Sequence, residues 1–208
     1  PDRRASGRGA AGRGPDGEVV FVSVMRLAPR KRPLQLLKLF HRVVDRVPRS
    51  ATVRLVVIGE GPERSSLDRY LSATGLDRQV ELTGRLSRPE IRERFATADV
   101  FVAPANLESF GIAALEARCA GLPVVAKART GVREFVRDGR EGLLARTDRD
   151  LVDAMVRLVT DPALRRTIAT HNATTPSDLD WSRVVAINVD TYRKAIAATG
   201  RLTETGRR

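Results

Sequence analysis

Two glutamates, Glu108 and Glu116, bracket the segment Ser109-Phe110-Gly111-Ile112-Ala113-Ala114-Leu115. Glu108 falls in a loop that opens after an apolar run and Pro104, and Glu116 falls inside the helix that follows. The first turn of that helix, from Phe110 to Ile112, offers backbone N–H groups without intrahelical partners, where an anion is favoured. Gly111 has no side chain to hold a ligand off the backbone. A carboxylate beside an anion site accepts hydrogen bonds from hydroxyls. Hydroxyls at Glu108, an anion at the helix start and hydroxyls again at Glu116 follow the chemical order hexose, diphosphate, ribose. Two glutamates at this spacing are common on solvated helices. The surrounding Pro104, Phe110-Gly111 and Gly121-Leu122-Pro123 set this pair apart.

Four other segments carry residue types suited to such a ligand. Arg26 and Lys31 follow the first apolar run, in Met25-Arg26-Leu27-Ala28-Pro29-Arg30-Lys31. Cations at the carboxyl end of a strand stabilise charge developing on a departing diphosphate, each charged hydrogen bond contributing about 1.5–3 kcal/mol. Gly59 and Gly61, in Gly59-Glu60-Gly61-Pro62, permit a tight strand-to-helix turn and are mainly structural. Arg85 follows Thr83-Gly84, placed to stack on or flank a base. Gly131 lies in Thr130-Gly131-Val132-Arg133-Glu134.

Together these segments resemble the glutamate-x7-glutamate signature of retaining glycosyltransferases of the two-Rossmann-domain (GT-B) type. This is the group 1, or family 4, kind that includes sucrose synthases and many bacterial α-mannosyl- and α-glucosyltransferases. The resemblance covers roughly residues 18–196. It implies that Glu108 contacts the donor sugar, that the backbone of Phe110, Gly111 and Ile112 meets sugar and phosphate, and that Glu116 holds the ribose. It places Arg26 and Lys31 on the diphosphate, Arg85 near the base, and Gly131 and Gly59 at turns that approach the donor. Three positions depart from the family pattern: Met25 and Arg32 replace the glycines that usually precede the arginine and follow the lysine, and Thr130 replaces the first glycine of Gly-Gly-x-x-Glu.

The function implied is hexosyl transfer from a nucleoside-diphosphate hexose, UDP- or GDP-linked, with retention. Glu108, Arg26 and Lys31 serve the reacting centre, and no metal or other cofactor is expected. The nucleotide sugar is the expected partner, with an acceptor-binding N-terminal domain that this sequence does not contain. Transfer by this chain alone is therefore not expected. The alternatives are a sugar-nucleotide epimerase of GT-B architecture, a noncatalytic nucleotide-binding module, and a nucleic-acid or membrane binder that uses the arginines. Asp148-Arg149-Asp150 and Asp178-Leu179-Asp180 match an aspartate-x-aspartate metal pattern, but their places before helices read as caps.

The elements that must position these residues alternate with a βα rhythm. Short apolar runs at 19–24, 53–58, 80–83, 100–103, 123–126 and 143–144 read as strands buried on both faces. Between and after them, helical patterns occupy 34–47, 63–74, 89–98, 111–120, 132–136, 150–159, 162–172 and 181–198. This pattern predicts an α/β, doubly wound parallel sheet of the Rossmann type, with ligands beyond the carboxyl ends of the strands.

The 208 residues suffice for one such domain with tails. The expected division is a flexible Arg/Gly-rich arm over 1–17, a nucleotide-sugar-binding domain over 18–180, a C-terminal helix over 181–199 and a flexible tail over 200–208. Only 4% of residues are aromatic, so the core must be aliphatic. The formal charge is +12, of which the two tails supply +4. The charge favours phosphate or an anionic surface, whereas the scarcity of aromatics disfavours single-strand nucleic-acid recognition, and no specific nucleic acid is expected. The single Cys119 excludes an intrachain disulfide and reads as a small core residue. No signal peptide or long apolar run is evident, so a cytoplasmic location is expected, with peripheral contact at the inner face of the membrane left open.

Overall fold

The computed structural model of the protein describes residues 17–179 and 181–205. The arm expected over 1–17 lies outside the described residues except for Gly17. The cap expected at Asp180 also falls outside what is described. The chain divides into two units after Thr175.

The larger unit holds six strands: β1 (Val19–Val24), β2 (Val53–Ile58), β3 (Val80–Gly84), β4 (Val100–Ala103), β5 (Val124–Lys127) and β6 (Gly142–Ala145). Its helices are α1 (Pro33–Arg46), α2 (Arg64–Thr74), α3 (Arg88–Thr97), α4 (Ile112–Cys119), α5 (Asp148–Thr160) and α6 (Pro162–Thr174). The strands form one sheet in the order β3-β2-β1-β4-β5-β6, with every neighbouring pair parallel.

Alternation along each strand sends side chains to both faces, and helices cover both. On one face Phe21, Leu55, Val57 and Val102 pack against Leu36, Phe40 and Val43 of α1, Leu67 of α2, and Leu151 and Met155 of α5. On the other, Val22, Ile58, Phe101 and Val124 pack against Phe95 of α3 and Ala114 and Ala117 of α4. Each cluster holds an edge-on phenylalanine pair, Phe21–Phe40 and Phe95–Phe101, each with ring centroids 6.0 Å apart. The sheet is thus the doubly wound parallel form that the βα rhythm predicts.

The order reverses between β1 and β4, so the chain opens a crevice at their carboxyl ends. Ser23, buried on β1, donates its hydroxyl to the carbonyl of Val102 on β4 at 2.6 Å and ties the two strands there.

Three local readings need correction. Cys119 is exposed, not core. The helical phase of α4 turns Ala114, Ala117 and Arg118 inward and leaves Ile112, Glu116 and Cys119 on the solvent side. Asp148 is not a cap: Thr147 caps α5, its side chain accepting from Asp150 N at 3.1 Å, while Asp150 completes the capping box, which frees Asp148 for other partners. The third correction concerns the smaller unit, whose helix α7 (Trp181–Thr205) continues into the tail expected over 200–208. Gly200 weakens a helix by only about 1 kcal/mol relative to alanine and does not stop it. Among the described residues, no helix is long and apolar enough to cross a membrane.

Candidate functional site

The crevice between β1 and β4 is a cleft of about 380 Å³. Ser23 and Met25 line it from β1, Ala103 and Pro104 from β4, and Lys31, Glu108 and Phe110–Ile112 close it. The sequence-predicted Lys31, Glu108, Phe110, Gly111 and Ile112 therefore meet in one place.

Lys31 and Glu108, 77 residues apart, form an ion pair in which each side chain is only 22% exposed. Their charges compensate each other at the mouth of the cleft. Gly111 is the N-cap of α4 with φ 89°, and no side chain caps the helix. A Cβ at Gly111 would lie 2.8 Å from Val132 Cγ2, so a side chain is excluded by contact as well as by conformation. The first N–H groups of α4 thus have no side-chain cap, and a helix start of this kind favours an anion.

Glycines hold the loops that carry these groups. Gly131 N donates to Glu108 O at 2.8 Å, and a Cβ on Gly131 would fall 1.9 Å from Ser109 O. Its close approach fixes the backbone of the Glu108 loop. Gly59 has φ 138° and a Cβ there would be 1.9 Å from Met25 O, while one on Gly61 would be 2.4 Å from Leu27 O. The β2–α2 turn therefore lies directly against the β1–α1 loop, and both glycines are packing contacts for that loop. Phe110 rests on Phe135, with ring centroids 5.4 Å apart.

Other predicted residues lie outside the cleft. Arg26 is exposed in the β1–α1 loop and does not line it. Arg85 is exposed just beyond β3. Glu116 is exposed on α4 and lines a separate groove with Arg88 and Arg92 of α3 and with Cys119.

The structure also assembles a group that the sequence reading missed. Arg32 has φ 61° and ψ 44°, the only non-glycine among the described residues with positive φ. From this left-handed position its guanidinium donates to Pro104 O at 3.0 Å, Asn106 Oδ1 at 2.9 Å, and both carboxylate oxygens of Asp148 at 3.0 and 2.6 Å. Gln35 Nε2 and the buried Lys127 Nζ also reach Asp148, at 3.0 and 2.7 Å. The Arg32 guanidinium holds the Asp148 carboxyl well below the usual carboxylate range, against the opposing effect of burial and with further help from Lys127. Arg32 thus braces the β1, β4 and β6 loops around the cleft. The departure from glycine at this position was the signal available in the sequence, but its partners are too distant in sequence for spacing to reveal.

Residues 10–174 match the family model for glycosyl transferases group 1. The chain belongs to that family. It is 31% identical over 211 residues to a D-inositol 3-phosphate glycosyltransferase of a Nocardioides species, a match covering 95% of this chain and 46% of the relative. The chain spans about half the length of the curated relatives it matches. Among solved structures it is similar to the C-terminal domain of a group 1 glycosyl transferase from Francisella tularensis, with TM-score 0.65 and 24% identity over 74% of this chain and 82% of that one. It is similar also to HepE from Anabaena, solved with UDP and glucose, with TM-score 0.63 and 23% identity over 88% of this chain and 48% of that one. The fold is that of the C-terminal domain of GT-B glycosyltransferases.

Proposed function

We propose that residues 18–180 form the donor-binding domain of a retaining hexosyltransferase and hold a nucleoside-diphosphate hexose for transfer to an acceptor presented by a further domain. The observation that carries this reading is the Lys31–Glu108 ion pair set beside the uncapped start of α4, in the cleft where the strand order reverses. This arrangement offers a cation and free N–H groups to a diphosphate, with a carboxylate next to them for sugar hydroxyls.

On donor binding, Lys31 exchanges its contact with Glu108 for the diphosphate, and Glu108 accepts from the hexose hydroxyls. Arg26 folds in from its exposed loop to the same phosphates, Glu116 takes the ribose, and Arg85 flanks the base. The glycosidic C–O bond to the diphosphate breaks as the acceptor oxygen bonds to the same carbon, and the acceptor proton passes to the departing phosphate oxygen. Lys31 and the start of α4 stabilise the charge on the leaving group. UDP is the favoured nucleotide, because HepE was solved with it.

Calorimetric titration with UDP, GDP and their glucose and mannose conjugates tests this reading. One diphosphate series should bind saturably. Lys31→Ala should weaken it by about tenfold or more, as expected for a lost charged hydrogen bond, and Glu116→Ala should weaken it as well. Absence of binding by every one of these ligands would overturn the proposal.

A further inference from the structure

Glu108 and Ser109 line a second opening as well, of about 560 Å³, whose other walls include Arg30, Arg129, Arg133 and Glu134. It shares only those two residues with the donor cleft. Arg30 comes from the turn before α1, and Arg129 and Arg133 from the loop after β5. All three side chains are exposed, and none hydrogen-bonds or ion-pairs with a carboxylate among the described residues. Elsewhere the arginines with buried or half-buried acids nearby are engaged: Arg54 and Arg94 share Glu81, Arg137 holds Glu141 and Arg32 holds Asp148. Within the opening, Glu108 is already matched by Lys31, which leaves three guanidinium groups facing Glu134 alone.

Two loops that meet at one rim deliver three exposed guanidinium groups against the single carboxylate of Glu134, and this excess of cations makes a site for several anionic oxygens. The planar fork of arginine suits phosphate oxygens in particular. The opening adjoins the donor carboxylate without lying in the donor cleft. We propose that it binds the phosphoryl group of an anionic acceptor and holds that acceptor beside Glu108. The term acceptor rests on the donor reading above; the phosphoryl site itself does not. The phosphoryl group belongs either to a soluble phosphate ester or to a lipid headgroup.

The full chain is titrated with glycerol 3-phosphate and with glycerol, alone and with excess UDP. It is also co-sedimented with phosphatidylcholine vesicles with and without phosphatidic acid. Glycerol 3-phosphate is expected to bind with UDP present, and glycerol is not. In the double variant Arg129→Ala, Arg133→Ala this binding should fall by at least about tenfold, while UDP affinity stays within about twofold, as for independent sites. Vesicle binding that needs phosphatidic acid and the same arginines, without binding of the soluble ester, assigns the site to a headgroup. The proposal is overturned if neither probe binds, or if the double variant binds as the parent does. Failure of UDP, GDP and their sugar conjugates alike to bind would sink the donor reading alone, since the dependence of phosphate binding on the two arginines is read equally well without nucleotide.

Discussion

At Arg32 two opposing terms meet in one residue. A side chain in the left-handed region costs roughly 1–2 kcal/mol, and hydrogen bonds to a carboxylate return about 1.5–3 kcal/mol. Arg32→Gly relieves the first term and loses the second, while Arg32→Ala loses the second and keeps the strain. Urea unfolding should therefore find both variants destabilised, with the alanine variant less stable than the glycine variant by about 1 kcal/mol. Equal stability of the two would refute the account of strain. A second charged residue sets acid sensitivity. Glu141 is 1% exposed. Burial alone would raise its carboxyl, but Arg137, through its guanidinium and its backbone N–H, and His171 outweigh that effect and bring it down to about 2. Because the folded value lies below the ordinary 4.5, its contribution to stability is complete above that pH and is lost as pH falls towards 2. Denaturation followed from about pH 5 to about pH 2 should show the parent losing up to about 3 kcal/mol more than Glu141→Gln. The sequence marked Lys31 and Glu108 because the segments that carry them resemble those of a known family. It did not mark Asp148 or Lys127, because their meeting with Arg32 depends on which strands become neighbours.

At the scale of elements, the strands were readable because parallel strands buried on both faces are continuous apolar runs. The phase of α4 was not, since Cys119 and Arg118 sit in an alanine-rich stretch where composition gives no direction and packing puts the arginine inside. Loop packing was equally hidden. The family resemblance implies a turn near the donor at Gly131, and the structure shows a backbone contact with Ser109 that requires glycine there. Gly131→Ala must displace the Glu108 loop, and overpacking of this kind costs about 1–3 kcal/mol. Nucleotide affinity should fall along with stability. Gly139→Ala is the comparison: its φ is 76° but a Cβ there meets nothing within 4 Å, so only backbone strain is added and nucleotide affinity should be unchanged. Nucleotide binding by Gly131→Ala equal to that of the parent would show that the loop tolerates the displacement.

At the scale of the molecule, the proposed reading gives this domain the donor sugar and its leaving group, and leaves to a further domain the closure that excludes water and completes acceptor binding. A radiolabelled-sugar transfer assay on this chain should show no robust turnover with candidate acceptors even where nucleotide binds, and rapid transfer by the chain alone would refute the proposed division of labour. The arrangement of the sheet also bears on how the protein is made. Of the six strands of this sheet, β1 is made first and lies inside the sheet, and its residue Ser23 finds Val102, 79 residues later, on the opposite side from β2. While the ribosome adds that length, β1 can pair with β2 but keeps one apolar edge open, and open edges recruit foreign strands. Emergence of β4 ends that interval, so slow translation between residues 58 and 100 prolongs the stage at which the nascent chain most needs a chaperone.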